Sequence, residues 1–210
     1  MLVYEKDPKA IYRQSFAMIR REAALGHLPA DVASLAVRLI HACGMTDITH
    51  DLAFSENVVE SGRQALARGA ALLCDTAMTA AGIMRRHLPA DNEIAIATEG
   101  ERAAAHAAKI GNTRSAAGVD LWGDRLDGGV VVIGNAPTAL FRLIERIDLD
   151  GYRPGAILAF PVGFVGAAES KELLAAGTLG IPFITLRGRR GGSAMAAAAV
   201  NALLIGEGAA

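Results

Sequence analysis

His41 stands late in an apolar helical run, Arg38-Leu39-Ile40-His41-Ala42-Cys43-Gly44. An imidazole gives or takes a proton near neutral pH, which makes this residue the candidate acid–base group of the chain. A hydrogen-bonded core histidine is the alternative. Cys43 lies two positions on, so its side chain diverges from the imidazole on a helix, against a Cys–His nucleophilic pair. Arg187, Arg189 and Arg190 crowd one turn, and Arg114 opens a helix in Gly111-Asn112-Thr113-Arg114-Ser115. Guanidinium groups fork onto carboxylates or phosphates through paired hydrogen bonds; a solvated surface loop is the competing account. Ser15 and Arg20 are polar interruptions near an apolar stripe, which capping or solvent exposure would explain as well.

Glycine-rich turns supply a second kind of chemistry. Val130-Val131-Val132-Ile133 runs into Gly134-Asn135-Ala136-Pro137-Thr138, and the apolar run 156–160 into Pro161-Val162-Gly163-Phe164-Val165-Gly166. The run 182–186 leads likewise through the arginine turn to Gly191-Gly192-Ser193. A helix start exposes unpaired N–H groups and a partial positive charge. Several such starts on one rim of a parallel sheet make a cleft suited to a ligand with many negative groups. Tight turning alone would also explain the glycines. No G-x-G-x-x-G follows a strand and no P-loop pattern occurs, so nucleotide readings lack their signatures.

These residues need elements to hold them. The pattern predicts helices over 8–24, 30–43 with a stop at Gly44, and 56–68 with a stop at Gly69. A strand follows at 70–74, then a helix to about 86 with Asp75-Thr76 as its N-cap, and a weaker strand at 94–97. Residues 113–126 read as helical. Strands at 130–133, 156–160 and 182–186 then alternate with helices at 137–147, 166–176 and 192–204. Such alternation implies right-handed βαβ units. The expected fold class is α/β: a mainly parallel β-sheet with helices on both faces behind a helical N-terminal section, as one domain over 1–210.

The bulk numbers exclude several classes. Hydrophobic residues are 52% of the 210 and aromatics only 5%, which gives a core of Ala, Val, Leu and Ile. A net charge of −1 provides no global attraction for nucleic acid or an anionic membrane. Cys43 and Cys74 fit neither a disulfide scaffold nor a structural zinc site, and no Cys/His metal cluster occurs. His27, His50, His87 and His106 read as surface histidines. The N-terminus lacks an apolar signal core, and the greasy stretches 155–168 and 191–205 are too short or too interrupted to span a bilayer. A cytoplasmic location is expected.

Longer blocks carry a resemblance. Ile11-Tyr12 with Ser15-Phe16, His41-Ala42-Cys43-Gly44, Ile110 to Ala116, Ile133-Gly134-Asn135-Ala136-Pro137-Thr138-Ala139-Leu140, Pro161 to Lys171, and Arg187-Gly188-Arg189 with Gly191-Gly192-Ser193-Ala194-Met195 are similar to the precorrin-8X methylmutase family of cobalamin biosynthesis. The resemblance covers nearly the full length. It implies an isomerase that moves a methyl group from carbon 11 to carbon 12 of precorrin-8X, giving hydrogenobyrinic acid by a 1,5-sigmatropic shift. No cofactor and no protein-bound metal are implied. His41 matches the family's key residue, a proton donor to the ring system. Ser15 and Arg114 match positions near the bound tetrapyrrole. The expected substrate-binding set is Ser15, Arg20, Arg114, Ser115, Asn135, Thr138, Gly163, Gly166, Arg187, Arg189, Gly192 and Ser193. A homodimer with active sites near the subunit contact is also implied. The alternatives are the cobalt-precorrin-8 methylmutase of the anaerobic pathway and a non-catalytic corrinoid-binding carrier.

Overall fold

The structure, a computed structural model, describes Leu2 and residues 4–205; the ends of the expected 1–210 domain at Met1 and 206–210, together with Val3, lie outside the described residues. Among the described residues six strands form one sheet: β1 (Leu52–Phe54), β2 (Leu72–Cys74), β3 (Ile94–Ile96), β4 (Val130–Ile133), β5 (Ala156–Ala159) and β6 (Phe183–Leu186). Their spatial order is β1-β6-β5-β4-β2-β3. All pairs are parallel except β1 with β6. The helices are α1 (Pro8–Glu22), α2 (Ala30–Cys43), α3 (Val58–Ala67), α4 (Ala77–Ala81), α5 (Gly100–Ile110), α6 (Arg114–Trp122), α7 (Pro137–Asp150), α8 (Ala167–Ala175) and α9 (Ser193–Ile205).

The strand pattern sorts these helices into two layers. Successive side chains on a strand point to opposite faces. Leu72, Cys74, Val130, Val132, Ala156 and Leu158 therefore pack into one core with α2, α3 and α9. Leu73, Val131, Ile133, Ile157 and Ala159 pack into the other with α6, α7 and α8. Alanines along α9, five of which are buried, let it approach the sheet closely. The expected α/β class, with its mainly parallel sheet covered on both faces, is the one observed. The helix α1 lies outside, against α2, with Ile19 as its buried anchor.

Several local expectations change. Residues 46–54 form a 3-10 turn and the antiparallel edge strand β1, whose three residues are too few for a periodic signal. α5 is a helix the pattern did not reveal. The helix expected from 75 to 86 stops at Ala81: Gly82 packs within 2.6 Å of where a side chain would meet Ala197, and only a 3-10 turn follows at Arg85–His87. The 113–126 segment breaks at Gly123, which adopts φ 54°, into a 3-10 turn. α1 ends at Glu22, not 24, and α7 runs on to Asp150, where Gly151 in the left-handed region closes it.

The parallel strands read 2-1-3-4-5 when numbered among themselves, so the connection direction reverses between β2 and β4. Open α/β sheets bind ligands outside the carboxyl ends of the strands at such a point. One glycine shows how closely α6 is seated beside it. A Cβ on Gly118 would lie 2.0 Å from the Ala97 carbonyl oxygen. Gly118→Ala should therefore destabilise the fold by about 3 kcal/mol, the upper range of overpacking costs, read as a lower urea midpoint with an unchanged slope.

Candidate active site

At the reversal point the protein fills the crevice itself. Asp75 follows β2 and is fully buried. Its Oδ2 accepts from the backbone N–H groups of Asn135 (2.7 Å) and Ala136 (2.9 Å), at the start of α7. Its Oδ1 accepts from Thr79 Oγ1 at 2.8 Å, and that hydroxyl lies 3.1 Å from Ser193 Oγ at the start of α9. Thr76, not Asp75, caps α4. The amides at 135–136, expected to meet a ligand anion, already hold an internal carboxylate. Gly134 is required here, because a Cβ would sit 2.6 Å from the Ser193 Cα.

The open space lies on the side of α1, α2 and α9. A cleft of about 460 Å³ is lined by Ser15, Met18, Ile19, Ile40, His41, Gly44 and the acidic Glu5 and Glu22, among others. A second, about 270 Å³, is lined by Tyr12, Arg38, His41, Ala42, Gly82, Met84, Ala194, Ala197, Ala198 and Asn201. His41 is common to both. Its Nδ1 is 2.9 Å from Ser15 Oγ, and no group among the described residues hydrogen-bonds Nε2. Tyr12 and Phe16 set their rings edge-on to it, with centroids at 5.3 and 5.2 Å. A serine hydroxyl can donate to Nδ1 or accept from it, so this contact survives either protonation state of the ring.

Arg38 lies one helical turn before His41 and is only 8% exposed. It donates to the Tyr12 hydroxyl at 2.6 Å and lies over the Phe16 ring at 5.4 Å. Partial burial, then the like charge of Arg38, hold the His41 pKa below the ordinary imidazole range. The imidazolium is accordingly a readier proton donor than a free one. His41 is thus neither a core residue nor a free surface one. It is held in a cleft wall.

The remaining expected residues divide into those that stay open and those already engaged. Arg114 is exposed at the start of α6, beside half-buried Ser115. Thr113 caps that helix and shares a 2.8 Å hydrogen bond with Thr138, joining the starts of α6 and α7. Gly163 N–H donates to the Arg189 carbonyl at 3.1 Å, and Gly166 packs on Phe141 and Pro137. Arg189 lies over the exposed Phe164 ring at 5.3 Å. Arg187 pairs with Glu172. Arg190 pairs with Asp47 (2.7 Å) and Asp51 (2.6 Å) and touches Met45 Sδ at 3.9 Å. That contact brings the β6–α9 turn, with Gly192 and Ser193, against the end of α2. Arg20 is exposed on α1 and lines neither of these clefts. Elsewhere, His106 is not a free surface group: Asp120 engages it at 2.8 Å, alongside Arg142.

Tyr12, Phe16 and Arg38 escaped the sequence reading as site residues, although their signals exist. Tyr12 and Phe16 are one helical turn apart, and Arg38 is a charge inside an apolar run three residues before His41. Asp75 ends an apolar strand, which reads equally well as a local cap.

A doubly wound sheet, with an imidazole held between aromatic and guanidinium groups beside open clefts, is the arrangement of an α/β enzyme site. Comparison with known proteins gives the family. Residues 10–205 match the family model described as precorrin-8X methylmutase, and the chain belongs to that family of isomerases, which act as intramolecular methyl mutases. The precorrin-8X methylmutase of Pseudomonas aeruginosa is 58% identical over 97% of this chain and 98% of its own. The cobalt-precorrin-8 methylmutase of Salmonella typhimurium is 37% identical over 96% of both. A crystal structure titled as the precorrin-8x methyl mutase from Thermus thermophilus superposes with a TM-score of 0.84 at 34% identity, over 93% of this chain and 94% of that one. No described helix is long and apolar enough to cross a membrane.

Two predictions follow from the geometry. In an NMR titration the His41 ring should titrate below about 6.5, and Arg38→Gln should raise that midpoint by removing the like charge. Asp75→Ala should cost about 3 kcal/mol in urea unfolding, because it strands the buried Ala136 amide, the part-buried Asn135 amide and a hydroxyl.

Proposed function

We propose that this protein moves the methyl group of precorrin-8X from carbon 11 to carbon 12, yielding hydrogenobyrinic acid, with His41 as proton donor. The observation that carries the reading is the setting of His41. One nitrogen is steadied by Ser15 at 2.9 Å, the other is unengaged, and clefts open on either side of the ring. The macrocycle is flat and largely apolar, with acetate and propionate arms. The alanine and aromatic walls suit its face, and the arginines suit its arms.

Protonating the conjugated system draws electron density from the bond that holds the migrating methyl. The methyl then shifts between neighbouring carbons of one molecule, and His41 recovers the proton as the product forms. The protein contributes orientation and charge stabilisation. An arm of the substrate placed near His41 would raise its pKa, favouring the charged donor in the complex. Arg114 and Arg189, on the rim, are the arginines of the expected set free to meet other arms. Arg187 and the amides of 135–136 are engaged internally, so the anion-binding burden falls on fewer groups than the sequence suggests. The homodimer implied by the resemblance belongs to this proposal: Phe164 and Val165, 82% and 89% exposed on the same rim, are side chains a second subunit would cover.

The higher identity to the cobalt-free relative than to the cobalt-precorrin-8 one favours the metal-free substrate. Turnover of precorrin-8X and of its cobalt form, side by side, tests that choice; faster turnover of the cobalt form contradicts it. For the mechanism, His41→Ala should lower kcat by about 10²- to 10⁴-fold, the usual span of general acid catalysis. The variant should still bind the pigment, as read from its visible spectrum. Full turnover by the variant excludes His41 as the donor. In wild type, kcat/KM should fall as pH rises through a value below about 6.5, since the protonated ring is the active form.

A further inference from the structure

Lys171 on α8 has no exposed surface. Buried ammonium groups normally face a carboxylate. Here Nζ donates to a neutral acceptor, the Arg190 carbonyl, at 2.7 Å. The acidic group whose field reaches it, Glu172, is itself engaged by Arg187.

What that bond holds is the turn between β6 and α9. The Arg190 guanidinium grips Asp47 and Asp51, in the segment just after α2. Gly192 N–H donates to the Phe160 carbonyl at 2.8 Å, and Gly191 has no room for a side chain against that same carbonyl. Ser193 then begins α9, whose Ala194 shares a cleft with His41. The Arg190 peptide is thus the joint between the helix end that carries His41 and the helix that forms the opposite wall.

We propose that Lys171 is a positioning residue for the methyl shift: its ammonium, by gripping the Arg190 carbonyl, sets the spacing between His41 and the Ala194 wall. This rests on reading the His41 clefts as the active site.

Energetics argue that the charge serves more than the fold. Burial lowers the Lys171 pKa from 10.5 to about 8, with Glu172 pulling weakly the other way. The folded chain therefore binds this proton less tightly than the unfolded chain. The ammonium costs stability at neutral pH, and stability rises as pH climbs from about 8 toward 10.5. Of the other charged groups nearby, Glu169 on the same helix has no ion pair among the described residues and Arg189 lies over Phe164, while the rest are engaged. Arg190 faces Asp47 and Asp51, Arg187 faces Glu172, and on α7, which packs against α8, Arg142 and Arg146 face Asp120, Glu145 and Asp150. Loss of the proton leaves an amine that still donates, but without the charge that strengthens the bond.

The test is kcat/KM for precorrin-8X from about pH 6 to about pH 10 in wild type, Lys171→Arg and Lys171→Met, with thermal melts of each. Wild type, already falling with the His41 ionisation, should fall more steeply above about 8, where a second proton is lost. Lys171→Arg, whose charge does not titrate in this range, should keep wild-type activity at neutral pH and lose only that second, steeper limb. Lys171→Met should melt no lower than wild type at neutral pH yet fall about ten- to a hundredfold in kcat/KM at every pH. A wild-type profile with no steepening near 8, a second limb that persists in the Arg variant, or a Met variant of wild-type activity overturns the proposal. His41→Ala run in parallel separates the two readings. If it is inactive while the Arg variant keeps the limb, the Lys171 role alone fails. If it is fully active, the active-site reading fails.

Discussion

A carboxylate of the chain's own occupies the place where a doubly wound sheet would otherwise receive an anion. Asp75 satisfies two amides at the start of α7 and, through Thr79, reaches the start of α9. Three consequences follow from that one buried group. The Asn135 and Ala136 amides at the crevice between β2 and β4 are already bonded. The starts of α7 and α9 are locked together, with Gly134 allowing their approach. And α9 is set where its alanines form one wall of the cleft that His41 completes. The open binding volume is thereby displaced from the sheet's reversal point to the layer of α1, α2 and α9.

In that layer the electrostatics are local. The chain as a whole carries a net charge of −1, yet the groups around His41 are a buried guanidinium, two aromatic edges and a hydroxyl. Burial and Arg38 both disfavour the charged imidazole. On the function proposed above, a polycarboxylate substrate would oppose that shift by supplying negative charge beside the ring, which would link binding to charging of the donor.

The sheet was legible in the sequence because five of its strands are apolar runs broken by helix starts, and that alternation has few solutions. The edge strand β1 was not, since three residues paired to β6 owe their conformation to tertiary contact. The helix read through to residue 86 failed at Gly82, where close packing on Ala197 ends it. Within the site, His41 stood out by residue type and Ser15 only through the family resemblance, and the structure brings them into contact. Asn135, Thr138, Arg187 and Ser193 stood out equally, but their hydrogen bonds go to Asp75, Thr113, Glu172 and Thr79. A sequence displays which groups can bind an anion. It does not display which of them the fold has already used, because those partners lie 15 to 114 residues away along the chain.

The most direct measurement is a crystal structure with hydrogenobyrinic acid bound. The account predicts the macrocycle in the clefts of α1, α2 and α9, with His41 Nε2 within hydrogen-bond reach of its conjugated system and Asp75 still bonded to Asn135 and Ala136. A macrocycle seated over the β2–β4 crevice, its carboxylates on those two amides and Asp75 displaced, would contradict it.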